Sequence, residues 1–198
     1  MPEFTPLQKQ MEQNTLSDNH LMLQVKEGRT SCLGLLFERY HKRLYAFFFR
    51  LTRDTEVSED LTQSVFYRIL KYKHTFMGKG AFCAWIFHLA RNVLADHWRK
   101  SKREGQRSDL QAVAETAESS YGPASDREEE VSLLQKALLQ LSDDKRELLE
   151  LSKFQGLKYK EIADMTNSTE NNVRVKIFRA IQELKTLYAR LDEEVQHD

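Results

Sequence analysis

Asn171, Asn172, Arg174, Lys176 and Arg179 crowd into nine residues near the C-terminus, directly after Thr169 and Glu170. An Asn amide can bond adenine through two atoms, and the Arg fork matches guanine. Lys and Arg also suit phosphate, a contact that positions a helix without reading sequence. A second group, Arg91, Asn92, Asp96, Arg99, Lys100, Lys102 and Arg103, shares its stretch with Phe82, Trp85 and Trp98. Basic residues beside aromatics suit single-stranded DNA, whose backbone tracks positive charge while its bases stack. Just before that stretch, Phe76, Met77, Gly78, Lys79 and Gly80 form a two-glycine loop that could wall a pocket for an extruded base. Trp98 suits either the core or a stacking surface. For both groups the plainer alternative is a solvated helix face.

Other chemistries find no set of residues. Cys32 and Cys83 are too few for a disulfide framework or a zinc cluster, and both are expected to be buried free thiols. The six histidines lack HExxH or HxxxH spacing. His88 is expected as a packed or partly exposed helix residue rather than a ligand. No glycine-rich phosphate loop occurs. The expectation is no metal, no cofactor and no enzymatic activity.

The elements that position these groups follow from periodicity. The chain has 198 residues, 40% of them hydrophobic and 30% charged, too apolar for a disordered chain. No run of alternating β-branched residues occurs, so the chain reads all-α. Leu33, Leu36, Phe37, Tyr40, Leu44, Phe47, Phe48 and Leu51 recur at three and four, after a possible cap at Ser31. Val57, Leu61, Val65, Ile69 and Tyr72 continue the pattern behind Asp54 or Thr55. A further helix runs from about Ala81 to Lys102, with Phe82, Trp85, Ile86, Leu89, Val93 and Leu94 as its core stripe.

Residues 104–125 are small and polar with one Gly-Pro pair, a linker composition. Beyond it, Ser125 with Glu128 fits a capping box. Leu133, Leu134, Ala137, Leu138 and Leu141 share a face, and Ser142 is placed to cap a helix that Gln155-Gly156 ends. Tyr159–Met165 reads as a short helix, Thr166-Asn167-Ser168 as a turn, and Thr169 as the cap of a last helix reaching about Arg190. Ile162, Ala163, Val173, Ile177, Ile181 and Leu184 should face inward, which leaves Glu170, Asn171, Arg174 and Lys176 outward. A short helix, a tight turn and a long basic helix make a helix-turn-helix.

The expected architecture is therefore two small helical domains joined by a flexible linker, the C-terminal one containing the helix-turn-helix. The divisions are 1–18 (loose extension), 19–103, 104–125 (linker) and 126–198. Net charge is zero, yet residues 1–100 carry +5 and residues 128–198 carry −4, and the basic groups gather locally. The longest apolar run, Ala81 to Phe87, is far short of the ~20 residues of a membrane span. The first residues lack the apolar core of a signal peptide. A cytoplasmic protein with no membrane insertion is expected.

Taken in order, three segments resemble bacterial sigma factors of the extracytoplasmic-function type. SEDLTQSVFYRIL is similar to their region two core-binding helix. FMGKGAFCAWIFHLARNVLADHWRK is similar to the part of region two that recognises the minus-ten element. LLQKALLQLSDDKRELLELSKFQGLKYKEIADMTNSTENNVRVKIFRAIQEL is similar to region four. The resemblance implies a promoter-specificity subunit whose partners are core RNA polymerase and promoter DNA, and a family that commonly has anti-sigma factors. It implies that Asp60, Leu61, Gln63 and Phe66 dock the polymerase clamp. Arg91, Asn92, Asp96, Arg99 and Lys100 would line the minus-ten element, and Met77, Gly78, Lys79 and Gly80 would hold a flipped base. Thr169, Glu170, Asn171, Asn172, Arg174, Lys176 and Arg179 would meet the minus-thirty-five element.

Some positions depart from the family pattern. Lys158 stands where a Ser or Thr cap is common, and Asn167 replaces the usual turn glycine. Asn171-Asn172 and Val175 are individual to this chain, at positions that read bases. The family's two elements lie ~70 Å apart. A 22-residue linker spans about 26 Å as a free coil and ~70–80 Å fully extended, so the working complex stretches it. The competing reading is a helix-turn-helix regulator that is not a polymerase subunit. It uses the last domain equally well but leaves the first unexplained.

Overall fold

The structure, a computed structural model, describes residues 16–105 and 126–196. Among the described residues every regular element is helical. The residues divide into two compact units. The Ser125 capping box and most of the 104–125 segment lie outside the described residues, as do residues 1–15.

The first unit contains α1 (Asp18–Lys26), α2 (Ser31–Thr52), α3 (Thr55–Tyr72), a 3₁₀ turn (Lys73–Thr75) and α4 (Phe82–Gly105). Its core is aromatic: Phe47, Phe48, Phe82 and Phe87 are fully buried with Leu36, Leu44, Ile69 and Leu94. Phe47 meets Phe48 and Phe87 edge-on at 5.3 and 5.5 Å, the favoured geometry for ring quadrupoles. Phe87 and Ala90 join the α4 stripe expected from the sequence, whereas Trp85 is only half-buried.

Capping departs from expectation at one end. Ser31 is the first residue of α2; the cap position is Thr30, whose side chain makes no capping bond. Asp54 does cap α3, accepting from the Val57 amide at 2.9 Å. Ser17 caps α1, and Asp18 belongs to the helix rather than to a loose extension. Its carboxylate takes Arg39 at 2.6 Å on one oxygen and the Tyr40 hydroxyl at 2.6 Å on the other. Burial, aided by that bond to Asp18, pushes the Tyr40 hydroxyl far above its ordinary pKa, so it stays a donor. Cys32 is buried as expected, but Cys83 is half-buried, with the Arg43 guanidinium donating to its sulfur at 3.4 Å.

The second unit contains α5 (Asp126–Gln140), α6 (Asp143–Leu149), a π turn (Glu150–Phe154), α7 (Tyr159–Met165) and α8 (Glu170–Gln196). Two expectations are corrected here, and the expected helix end at Gln155-Gly156 is reached through a π turn. Leu134 is 36% exposed, although the helical period places it on the same face as Leu133, Ala137, Leu138 and Leu141. Ser142 occupies the cap position of α6 without a side-chain bond. The helix it starts changes to π geometry at Glu150 before Gly156, in the left-handed region at φ +71°, ends it.

Arg146, 8% exposed, fills the junction between α5 and α6. Its guanidinium donates to the carbonyls of Leu138, Leu139 and Leu141 at 2.9–3.0 Å. These are the acceptors that a helix C-terminus leaves unpaired, and positive charge suits that end of the dipole. Arg146→Met keeps the stem and removes the donors. It should lower the unfolding free energy of the full chain's second transition by about 2–3 kcal/mol in chemical denaturation. An unchanged midpoint would remove the capping role.

Candidate nucleic-acid and polymerase-docking sites

The α7–turn–α8 corner is built from backbone bonds and small side chains. Thr166 and Ser168 amides donate to Ile162 and Ala163 carbonyls at 3.0 Å, closing α7. Asn167 sits in the left-handed region at φ 49°, which Asn tolerates through its short polar side chain. Lys158 supplies no side-chain cap, but half of a capping box survives: the Glu161 carboxylate accepts from the Lys158 amide at 2.8 Å. Thr169 caps α8, accepting from the Asn172 amide at 3.2 Å, and the helix runs on to Gln196 rather than stopping near Arg190.

On α8, Val173, Ile177 and Ala180 are buried, and Ile181 and Leu184 are half-buried. Glu170, Asn171, Asn172, Arg174, Lys176 and Arg179 are all exposed. Two are partly engaged: Asn172 donates to the Ser168 hydroxyl at 2.9 Å, and Arg174 meets Glu170 at 3.4 Å. At 100° per residue, Asn171, Val175 and Phe178 lie within about 60° of one another, directly opposite the buried line. Val175 is 39% and Phe178 62% exposed. Lys176 and Arg179 flank this line. Val175 stands at a position the family resemblance already marks as base-reading, whereas Phe178 has no such mark and emerges only from the helical period.

The α4 cluster is positioned from α1. The Asn19 side chain donates to the Gly80 carbonyl at 2.8 Å and accepts from the Phe82 amide at 2.7 Å. The Lys26 ammonium donates to the Phe76 carbonyl at 2.8 Å. Phe76 is buried against Phe82 and Trp85, so it anchors the loop from beneath instead of walling a pocket. Met77 and Lys79 are exposed at the loop tip. Gly78 is at φ +69°, a conformation that a side chain would strain. Neither Asn19 nor Lys26 has a periodic signal in the sequence.

Along α4, Asn92, Arg99 and Lys100 are exposed, and Arg91 is half-buried. His88 is exposed on the same side, its pKa lowered by partial burial and by Arg91. Trp98 is 39% exposed. Asp96 is engaged within the protein, one oxygen on Arg68 of α3 at 2.5 Å and the other on Arg99. Beside this pair a groove of about 440 Å³ opens between α3 and α4, lined by Ser64, Tyr67, Lys71, Tyr72, His97 and Lys100 among others.

On α3, Asp60 and Gln63 are exposed, but Leu61 and Phe66 are 5% and 8% exposed. Phe66 packs on the Phe37 ring at 4.8 Å. The face that Asp60 and Gln63 begin continues through Tyr67 and Leu70, exposed at 68% and 41%.

Comparison with known proteins matches these two units. A model of sigma-70 region 2 matches residues 36–104, and a model of sigma-70 region 4 matches residues 132–184. The chain belongs to the extracytoplasmic-function sigma factors. SigM of Bacillus subtilis is 31% identical over 155 residues, 78% of this chain and 94% of that protein. The sigma-E factor of Escherichia coli is 28% identical over 83% of this chain and 91% of its own. Among solved structures, the sigma factor RpoE in complex with the anti-sigma factor NepR from Bartonella quintana superposes with TM-score 0.63 and 26% identity, covering 78% of this chain and 94% of its own. CnrH, solved with the cytosolic domain of CnrY, has the same fold at TM-score 0.65 and 20% identity, over 87% and 97% of the two chains.

As a sigma factor the chain is a polymerase-associated initiation factor, and the reading as an independent regulator is set aside. Sigma factors are non-catalytic initiation factors. Among the described residues no helix is long and apolar enough to cross a membrane.

The ion pairs of Asp96 set a pH response. The hydrogen bond from Arg68, with its charge and that of Arg99, holds the carboxyl below its usual range. A lowered carboxyl stabilises the fold above its unfolded pKa, and that contribution is lost as pH falls through the lowered value. Asp96→Asn should therefore flatten the acid limb of thermal stability below about pH 4. Identical limbs in the two proteins would contradict the assignment.

Proposed function

We propose that this sigma factor divides promoter recognition between its units. Region two docks core RNA polymerase through the exposed face of α3, where Asp60 and Gln63 are joined by Tyr67 and Leu70 and supported from beneath by Leu61 and Phe66. Its α4 surface, Arg91, Asn92, Arg99 and Lys100, follows the melted minus-ten strand. The loop Met77, Gly78, Lys79 and Gly80 holds an extruded base, and the α1 bonds to its two ends keep it in place. Region four lays the N-terminal turns of α8 in the major groove of the minus-thirty-five element.

The observation that carries this reading is the sidedness of α8. Its apolar line is buried while Asn171, Arg174, Lys176 and Arg179 stand outward on a helix that follows a tight turn. The chain supplies address and strand capture, and polymerase supplies the chemistry. It acts in the cytoplasm, without catalysis of its own. The complexes of RpoE with NepR and of CnrH with CnrY support the further reading that an anti-sigma factor restrains this protein too.

Run-off transcription on genomic fragments with purified core polymerase should give discrete starts only when the chain is added. No gain in defined starts would refute the function. Zero net charge predicts weak binding without polymerase. An electrophoretic shift at physiological salt should show little complex, and tight binding would count against the division of labour. Arg174→Ala should cut run-off from the cognate promoter by roughly tenfold, the lower end of what one base contact is worth. Copurification with polymerase should stay intact, and an equal loss of association would move Arg174 to the polymerase face.

A further inference from the structure

The centre line of the α8 outer face is largely apolar, which a helix meant only for solvent does not need. Val175 and Phe178 stand there exposed, one turn and two turns after Asn171. Cations flank the line, with Arg174, paired to Glu170, on one side and Lys176 and Arg179 on the other. A helix seated in a major groove turns its flanks toward the two phosphate backbones and its centre line toward the base edges. The flanking charge favours an anionic partner, and with α8 in the major groove the centre line at Val175 faces the groove floor.

At that floor only one group is apolar. Guanine and adenine offer N7 with O6 or an amino group, and cytosine offers an amino group. Thymine adds a 5-methyl group beside its O4. A β-branched side chain with no hydrogen-bonding atom meets the first three with an unsatisfied polar edge, and meets thymine with a methyl–methyl contact. Valine also has a single strongly preferred χ1 rotamer in a helix, so its two methyl groups are held in place before binding. Its short reach confines the contact to one or two base pairs opposite the second turn of α8.

We propose that Val175 is a specificity residue of this sigma factor and reads a thymine 5-methyl group in the upstream promoter element. The inference rests on the placement of α8 in the major groove proposed above. It adds the base that the helix prefers and the atom by which that base is known. Asn171, one turn earlier on the same line, is placed to read the neighbouring pair through hydrogen bonds, so the element should combine an amide-read position with a methyl-read one.

The test uses holoenzyme assembled from core polymerase and the full chain, on a genomic fragment that directs run-off. Two templates differ only upstream, where the segment from roughly −45 to −25 carries thymine or deoxyuridine, which lacks the methyl group and keeps every hydrogen bond. At limiting holoenzyme, deoxyuridine should lower run-off by roughly fourfold, the factor that burial of one methyl-sized group is worth. Val175→Ala should start from the thymine template less well and show a thymine-to-deoxyuridine ratio near one. Val175 is surface-exposed, so thermal unfolding of the variant should match the unsubstituted protein. Equal run-off from the two templates, or the same deoxyuridine deficit in V175A, overturns the inference while leaving the sigma assignment intact. Run-off that is indifferent to scrambling the segment from roughly −45 to −25 overturns the α8 placement and the inference together.

Discussion

The side-chain amide of Asn19 holds both ends of a turn at once, donating to the Gly80 carbonyl and accepting from the Phe82 amide. Through it, α1 fixes where α4 begins and therefore where every basic residue of α4 stands. Lys26 repeats the tie at Phe76, and Asp18 secures α1 itself by holding Arg39 and Tyr40 of α2. The loop from Phe76 to Gly80 is thereby held at its two ends, by bonds to backbone atoms, while Met77 and Lys79 stay exposed at the tip.

The second unit uses a different device. Two of its helices, α6 and α7, have only seven residues each, and a short helix has nearly as many unpaired terminal groups as internal bonds. Arg146 answers the carbonyls of Leu138 and Leu139 in α5 and of Leu141 just beyond it with one side chain, at the point where α6 turns away within two residues. The corner before α8 is closed by backbone amides and by Asn167 in the left-handed region. Both units thus use polar side chains to satisfy backbone ends.

Much of this was legible in the sequence. The all-helical class, the turn at Asn167 and the Thr169 cap followed from period and turn chemistry, because they depend on residues a few positions apart. What was missed depends on distance. The Asn19 and Lys26 bonds close over 50 to 63 residues, and no local pattern announces them. Asp96 resembles a ligand-facing residue in sequence, yet its carboxylate is bonded to Arg68 of a neighbouring helix and to Arg99. Leu61 and Phe66 sit in the segment resembling a docking helix, and the fold buries them as its support. Tyr67 and Leu70 could have been found by counting on from Asp60 and Gln63.

The length of α8 has a mechanical consequence. Its 27 residues make a rod of about 40 Å, and the same rod both carries the outward groups at one end and packs along α5 behind them. Lys145 and Arg190 tie its middle and rear to α6 and α5, through Glu183 and Gln140. No joint interrupts it. The surface offered at the front of α8 and the surface that rests on α5 behind it therefore belong to one continuous body, and the orientation of the first is set by the packing of the second.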